Sequence, residues 1–305
     1  MSTDYLTAYS KSNSGVNHAQ NTVRAYLSLT KPRIVVLLSI TGIVGFILAS
    51  KGKFSIIELV IAIFIGYLSA GGAMTINAYL DRDIDSLMER TSQRASVGEN
   101  AINPPEKILL VGSIFVIAAL ALAFLVFNAL TAFFVGWGAF YYLLGYSLVL
   151  KRRSIVNTLL GGLASPAPVL MGYAAITGTI PLEGWLLGFL VFFWTPSHTW
   201  SLATKYVEDY RRANIPMLPV VYGIPRTAQI TFGWGILVIA YATILTYTMT
   251  NGSIIILLLI LIPHFFLFSG LYRFLKTPSE QTAYRSFKLH NIWLALIFAA
   301  MLLPF

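Results

Sequence analysis

Residues 56–76 read IIELVIAIFIGYLSAGGAMTI and run straight into Asn77-Ala-Tyr-Leu-Asp81-Arg-Asp83-Ile-Asp85. The first part holds one charged side chain, Glu58, and is long enough to cross a bilayer as a helix. Three carboxylates then arrive within five positions. On an α-helix, four-residue steps advance by about 40° each, so Asn77, Asp81 and Asp85 form one stripe roughly 12 Å long. Asp83 falls on another face. Oxygen ligands in a stripe at the end of a membrane helix are poor lipid contacts. They suit Mg²⁺, especially when a phosphorylated ligand completes the coordination.

The rest of the chain extends this reading. It is 57% hydrophobic and 11% charged, more apolar than a soluble chain of 305 residues needs. Nine spans are predicted, near 34–50, 56–80, 108–127, 130–149, 155–176, 182–203, 228–249, 253–272 and 291–304. Nineteen of the 21 basic residues fall in the N-terminal tail or in the second, fourth, sixth and eighth loops, leaving Lys51 and Lys53 on the opposite side. By the positive-inside rule the N-terminus is cytoplasmic and the C-terminus outside. The net charge of +9 is thereby a topological signal, and no nucleic-acid partner is expected. The fold expected is an all-α polytopic membrane bundle of nine transmembrane helices: a polar cytoplasmic tail over 1–33, then one membrane domain over 34–305. The tail has no apolar core of a cleavable signal peptide and too few basic residues for a transit sequence. The absence of cysteine excludes disulfides and thiolate metal sites.

The long loops 81–107 and 204–227 hold eight of the twelve acidic residues. The first continues from the stripe to Arg90-Thr91 and Arg94. The second opens with Lys205-Tyr-Val-Glu208-Asp209-Tyr210, then Arg211 and Arg212. Carboxylates can hold Mg²⁺ while cations grip the phosphate oxygens it does not reach. Acids that merely terminate helices among basic neighbours are the bland alternative for either loop alone. Two such clusters on one side of the membrane favour a diphosphate site, with the metal acting as Lewis acid. Lys151-Arg152-Arg153, closing the fourth span, reads equally as a membrane anchor or as phosphate contacts. Within the sixth span, Trp194-Thr-Pro196-Ser-His198 bends the helix. His198 could ligate a heme iron, shuttle a proton or bond a neighbouring helix. His264 and His290 adjoin no acidic motif, and most Phe, Tyr and Trp face lipid or core. A few could line a cavity and stabilise a carbocation through their π faces.

Several segments, in order over residues 29–219, resemble the UbiA-type intramembrane prenyltransferases, and more narrowly their heme-farnesylating branch. They are Leu29-Thr-Lys-Pro-Arg33, Asn77–Asp85 with Met88-x-Arg90-Thr91-x-x-Arg94, and Tyr146–Arg152 with Asn157 and Gly161-Gly162. Trp194-x-Pro196-x-His198 and Asp209-Tyr210-x-x-Ala213-Asn214-Ile215-Pro216-Met217-Leu218-Pro219 complete the match. The chain departs from the pattern at Arg94-Ala95-Ser96, where Arg-Pro is usual, and at Ser197-His198-Thr199, where Pro-His-Phe is usual. Lys205 stands where relatives using quinone precursors carry the first aspartate of a second motif.

The resemblance implies farnesyl diphosphate and heme b as substrates, membrane lipid as surroundings, and heme O and diphosphate as products. A heme-oxygenating enzyme would be the downstream consumer. It further implies Mg²⁺ as cofactor, held by Asp81, Asp85 and Asp209 with Asn77. Arg90, Arg94, Lys151 and Lys205 would neutralise the diphosphate, and His198 would contact heme. The cell membrane is the expected location, with the site toward the cytoplasm. Two other readings stay open. One is a prenyltransferase with another acceptor, such as an aromatic acid, a quinone precursor or a chlorin. The other is a cation transporter, which would place ionisable groups near the membrane midplane.

Overall fold

The structure, a computed structural model, describes residues 23–99 and 101–303. Most of the expected polar tail lies outside the described residues. Among the described residues, nine long helical segments follow one another. They are α1 Pro32–Ser50, α2 Ile56–Leu80, α3 Glu106–Phe127, α4 Ala129–Leu150, α5 Asn157–Thr177, α6 Leu182–Lys205, α7 Leu218–Met249, α8 Ile254–Lys276 and α9 Glu280–Leu302. No strand occurs among the described residues. Seven of these segments are long and apolar enough to cross a membrane on composition alone. The remaining two, α6 and α9, are more polar: α6 carries Thr195, Ser197, His198 and Thr199, and α9 begins with Glu280, Arg285 and Lys288. The molecule is an all-α, multi-pass integral membrane protein.

Helix ends differ from the sequence reading in two places. A Ser279–Thr282 capping box starts α9 at Glu280, eleven residues before the expected span. Its charged first turns had read as loop. Helix α7 starts at Leu218 and passes through a kink at Gly223, whose φ of 75° and ψ of 167° suit a residue without Cβ. Gly223-Ile-Pro225 therefore bends a helix where the sequence suggested a connection.

The bundle forms two groups. Helix α1 packs on α5 and α2, α2 on α3, and α4 on α5, whereas α6, α7, α8 and α9 pack on one another. Small residues set the tightest contacts. A Cβ on Gly172 of α5 would lie 2.5 Å from the Gly42 carbonyl oxygen and 2.6 Å from the Phe46 nitrogen of α1. Gly72 and Gly112 bring α2 and α3 equally close, as small-residue contacts do where lipid gives no hydrophobic drive. Leu187, Leu190, Trp293 and Phe298 centre the second group's core. Between the groups lies a cavity of about 530 Å³, walled mainly by apolar side chains of α1, α2, α4, α5, α6 and α9.

Candidate functional site

The stripe survives folding. Helix α2 ends at Leu80, and a short helix, Arg82–Asp85, follows at once. Backbone bonds from Asp81 N to Asn77 O and from Asp85 N to Asp81 O keep the four-residue step. Asn77, Asp81 and Asp85 are buried, at 3%, 1% and 3% exposure, whereas Asp83 faces out. Burying carboxylates is costly unless each is paired, and here each is. Lys151 Nζ donates to Asp81 Oδ2 at 2.5 Å, and Arg94 to Asp85 Oδ2 at 2.6 Å. Asn77 donates to Asp81 Oδ2 at 2.7 Å and to Ser147 Oγ at 3.1 Å. The end of α4, Tyr141–Leu150, is wound as a π-helix. Such turns recur at functional sites, and this one carries Ser147 and ends beside Lys151.

Arg152 grips Asp83 through two bonds, at 2.6 and 2.7 Å, and stands 3.6 Å from Asp81 Oδ1. That pairing holds the Asp83 carboxyl below its usual range. The open choice for Lys151-Arg152-Arg153 thus divides by residue: Lys151 faces the stripe and Arg152 braces its outer side. Asp81 Oδ1 is buried and accepts no hydrogen bond.

Lys31 joins the stripe, although no spacing in the sequence points to it. It sits just before α1 in a left-handed conformation, φ 51°, and donates to Asn77 Oδ1 at 2.9 Å. Burial, then the nearby Arg94, brings its ammonium down to about 7. Lys31, Arg90 and Arg94 line a second recess of about 290 Å³, with no carboxylate among the lining residues. Arg90 lies over the Tyr206 ring at 4.7 Å.

The second charged cluster is arranged otherwise than expected. Asp209, on the helix Val207–Arg212, is buried and accepts from the backbone nitrogens of Glu89 at 3.0 Å and Arg90 at 3.3 Å, and from Arg212. Burial raises its carboxyl. Arg212 and the two amides outweigh that and hold it below the usual carboxylate range. A depressed carboxyl contributes its stability above the unfolded value and loses it as pH falls through the folded one. The melting-temperature loss in Asp209→Asn is therefore expected to be the same at pH 5 and pH 8; a loss that shrinks toward pH 5 would contradict this. Lys205 pairs with Glu280 of α9 at 3.4 Å rather than with the stripe. Asn157 bridges loops, donating toward the Lys151 and Pro216 carbonyls. Among the described residues, no three histidine or carboxylate side chains gather as a metal-ligand cluster.

His198 lines the large cavity, stacked on Trp194 at 4.0 Å and tilted against Phe287 at 4.5 Å between ring centroids. Its Nδ1 is buried without a partner. His264 bonds Thr243 and Trp293, and His290 bonds Ser197 and the Ser286 carbonyl, so both knit helices together. Tyr142 and Tyr146 line the cavity at its stripe end, because their neighbour Ser147 touches Asn77.

Fold and site together define a membrane-embedded protein with buried carboxylates and cations gathered at one end of a greasy cavity. Ionisable groups gather at one end of the helices, not at a midplane, which disfavours the transporter reading. The chain belongs to the UbiA prenyltransferase family, whose pattern matches residues 38–297. It is a prenyltransferase. A protoheme IX farnesyltransferase of Saccharolobus islandicus (strain L.S.2.15 / Lassen #1) is 39% identical over 284 residues, covering 93% of this chain and 98% of that protein. A solved digeranylgeranylglyceryl phosphate synthase superposes with a TM-score of 0.73 at 18% identity, over 93% of this chain and 98% of the other. A UbiA homologue from Archaeoglobus fulgidus, bound to DMAPP and Mg²⁺, superposes with a TM-score of 0.63 at 16% identity, over 90% and 98% of the two chains. The two structures share the fold.

Proposed function

We propose that this chain transfers the farnesyl group of farnesyl diphosphate to a vinyl group of heme b, with addition of water, giving heme O and diphosphate. The observation that carries the reading is a buried stripe of paired carboxylates and cations at one end of a 530 Å³ apolar cavity. The acceptor rests on the relative named protoheme IX farnesyltransferase.

The residues present fit Mg²⁺. Asp81 Oδ1 is a buried carboxylate oxygen with no hydrogen bond, and Asp85 keeps an oxygen that Arg94 does not take. Mg²⁺ is commonly held by one or two carboxylates plus substrate phosphates, and the Archaeoglobus homologue was solved with DMAPP and Mg²⁺. When bound, the ion neutralises charge on the departing diphosphate. Lys31, Arg90, Arg94 and Lys151 grip the remaining oxygens. Lys205 touches neither the stripe nor the recess that Lys31, Arg90 and Arg94 line, and it has no part in this reading. The allylic C–O bond breaks and its electron pair leaves with the diphosphate. The vinyl group then supplies the pair for the new C–C bond. Water adds to the resulting carbocation next to the porphyrin ring and gives up a proton. Trp194, Phe287, Tyr142 and Tyr146 line the cavity, and their π faces favour a cation while apolar walls delay water. His198, stacked in the same wall, contacts the acceptor.

Diphosphate release by the purified protein, followed with and without heme b, tests the reading. Release is expected to depend on heme b and to stop with EDTA. Release that ignores heme b but responds to an aromatic acid or a chlorin would transfer the acceptor assignment to that class.

All nine segments cross the cell membrane in this reading, with the N-terminus and the site cytoplasmic, and the skew of 19 of 21 basic residues supports it. The protein has no cysteine, so single cysteines report topology without background. Ser86→Cys, exposed beside the stripe, is expected to be protected from a membrane-impermeant maleimide in intact cells, whereas Lys51→Cys is labelled. The reverse pattern would invert the topology.

A further inference from the structure

We infer that Asp209 is a positioning residue, which sets Arg90 and its recess for the diphosphate rather than reaching a divalent cation itself. The inference rests on the prenyl-transfer reading of the site and deepens it.

The argument starts from what the carboxylate already holds. A carboxylate offers about four acceptor positions. Asp209 Oδ1 takes the Glu89 amide at 3.0 Å and the Arg212 guanidinium, and Oδ2 takes the Arg90 amide at 3.3 Å. Two consecutive amides on one carboxylate fix the course of a backbone, and these lie 119 and 120 residues from Asp209 in sequence. The tether is backed by packing. Ile84 and Met88 from the first loop meet Ala203, Ala213, Ile215 and Met217 from the second in one buried cluster. Asp81 presents the opposite case, since its Oδ1 is buried without a hydrogen bond and Arg152 stands 3.6 Å away.

What the tether fixes is a cation. Arg90 forms no ion pair among the described residues, and its guanidinium rests on Tyr206, which follows Lys205 at the start of the second loop. Asp209 thus holds the Arg90 backbone while Tyr206, three residues earlier, holds its side chain. Arg90 shares its recess with Lys31 and Arg94. Arg94 is already paired with Asp85 and Lys31 is brought down to about 7, so Arg90 is the cation of this recess that lacks a counter-ion among the described residues, and a diphosphate supplies one. The two acidic clusters therefore divide the work: the stripe offers oxygens to a metal, and Asp209 orders a phosphate-binding arginine.

The test uses full-length protein in nanodiscs, with Mn²⁺ binding read by electron paramagnetic resonance and inorganic pyrophosphate binding by calorimetry. Asp209→Asn is expected to weaken pyrophosphate binding about tenfold to a hundredfold, the loss typical of charged hydrogen bonds. Mn²⁺ affinity without pyrophosphate is expected to stay at the wild-type value, whereas Asp81→Asn lowers it. In an Arg90→Met background, Asp209→Asn is expected to add little, because both changes remove the same contact. Mn²⁺ affinity falling in Asp209→Asn as far as in Asp81→Asn would overturn the inference, as would effects of Asp209→Asn and Arg90→Met that simply multiply. Should Asp209→Asn not fold, Asp209→Glu in the same cycle decides the point, with the same two outcomes. Wild-type protein that binds neither Mn²⁺ nor pyrophosphate would sink the underlying reading instead.

Discussion

Asp81→Asn is expected to lower prenyl transfer by about 10²–10³-fold, in line with removing a pre-organised electrostatic group from a dry site. The reason lies in what meets at this one side chain. Asp81 is 1% exposed, accepts from Lys151 and Asn77 through Oδ2, and keeps Oδ1 free of hydrogen bonds. An amide of the same shape keeps the volume and removes the charge. Lys151 is then left in a buried setting without its counter-ion, a change worth about 3–5 kcal/mol where buried pairs are broken. Some stability is therefore lost along with activity, and melting curves are needed to separate the two. Asp83→Asn is the matched control. Asp83 lies two residues away, is largely exposed and meets Arg152 at the surface. Exposed pairs are worth about 0–1 kcal/mol, so turnover is expected to stay within about threefold of wild type. Equal losses from the two substitutions would contradict the division of the carboxylates into a working stripe and an outer brace.

Gly172→Val is expected to prevent assembly of the bundle, seen as loss of monodisperse protein on size exclusion. A Cβ at this position meets backbone atoms of Gly42, Gly45 and Phe46, none of which can swing aside as a side chain would. Overpacking a core typically costs about 1–3 kcal/mol and more where backbone blocks relaxation. Here α1 and α5 must move apart. Gly42, Pro168 and Met171 line the large cavity, so even a protein that survives has an altered wall. Gly233 supplies the contrast. It lies exposed on α7 with nothing within 4 Å of an added Cβ. Gly233→Ala is expected to leave the melting temperature unchanged or raised, since alanine favours a helix by about 1 kcal/mol over glycine. A Gly172→Val protein that melts like wild type would show that the α1–α5 contact is not tight.

The fold was legible wherever hydrophobic length alone decides. The all-helical membrane class was legible, and so were the register of Asn77, Asp81 and Asp85 and the outward turn of Asp83. The misplaced starts have one cause. Helices carry charge on the turns that project beyond the bilayer, so Glu280, Arg285 and Lys288 in the first turns of α9 resemble loop, as does the kinked Gly223-Ile-Pro225. Lys205 reads as a diphosphate contact because it stands four residues before Asp209, and in the fold it meets Glu280, a residue that the sequence presents as loop. Lys31 was hidden for a different reason. It lies 46 residues from Asn77, and only the packing of α1 on α2 brings it there. The amides of Glu89 and Arg90 on Asp209 are likewise backbone contacts, which leave no mark in a side-chain pattern.

The most direct measurement supplies purified protein in nanodiscs with heme b, farnesyl diphosphate and Mg²⁺, and examines the extracted heme by mass spectrometry. The account predicts a heme heavier by one farnesyl group plus one water, absent with EDTA and nearly absent with Asp81→Asn. Unmodified heme b, with diphosphate released once a different acceptor is offered, would contradict it.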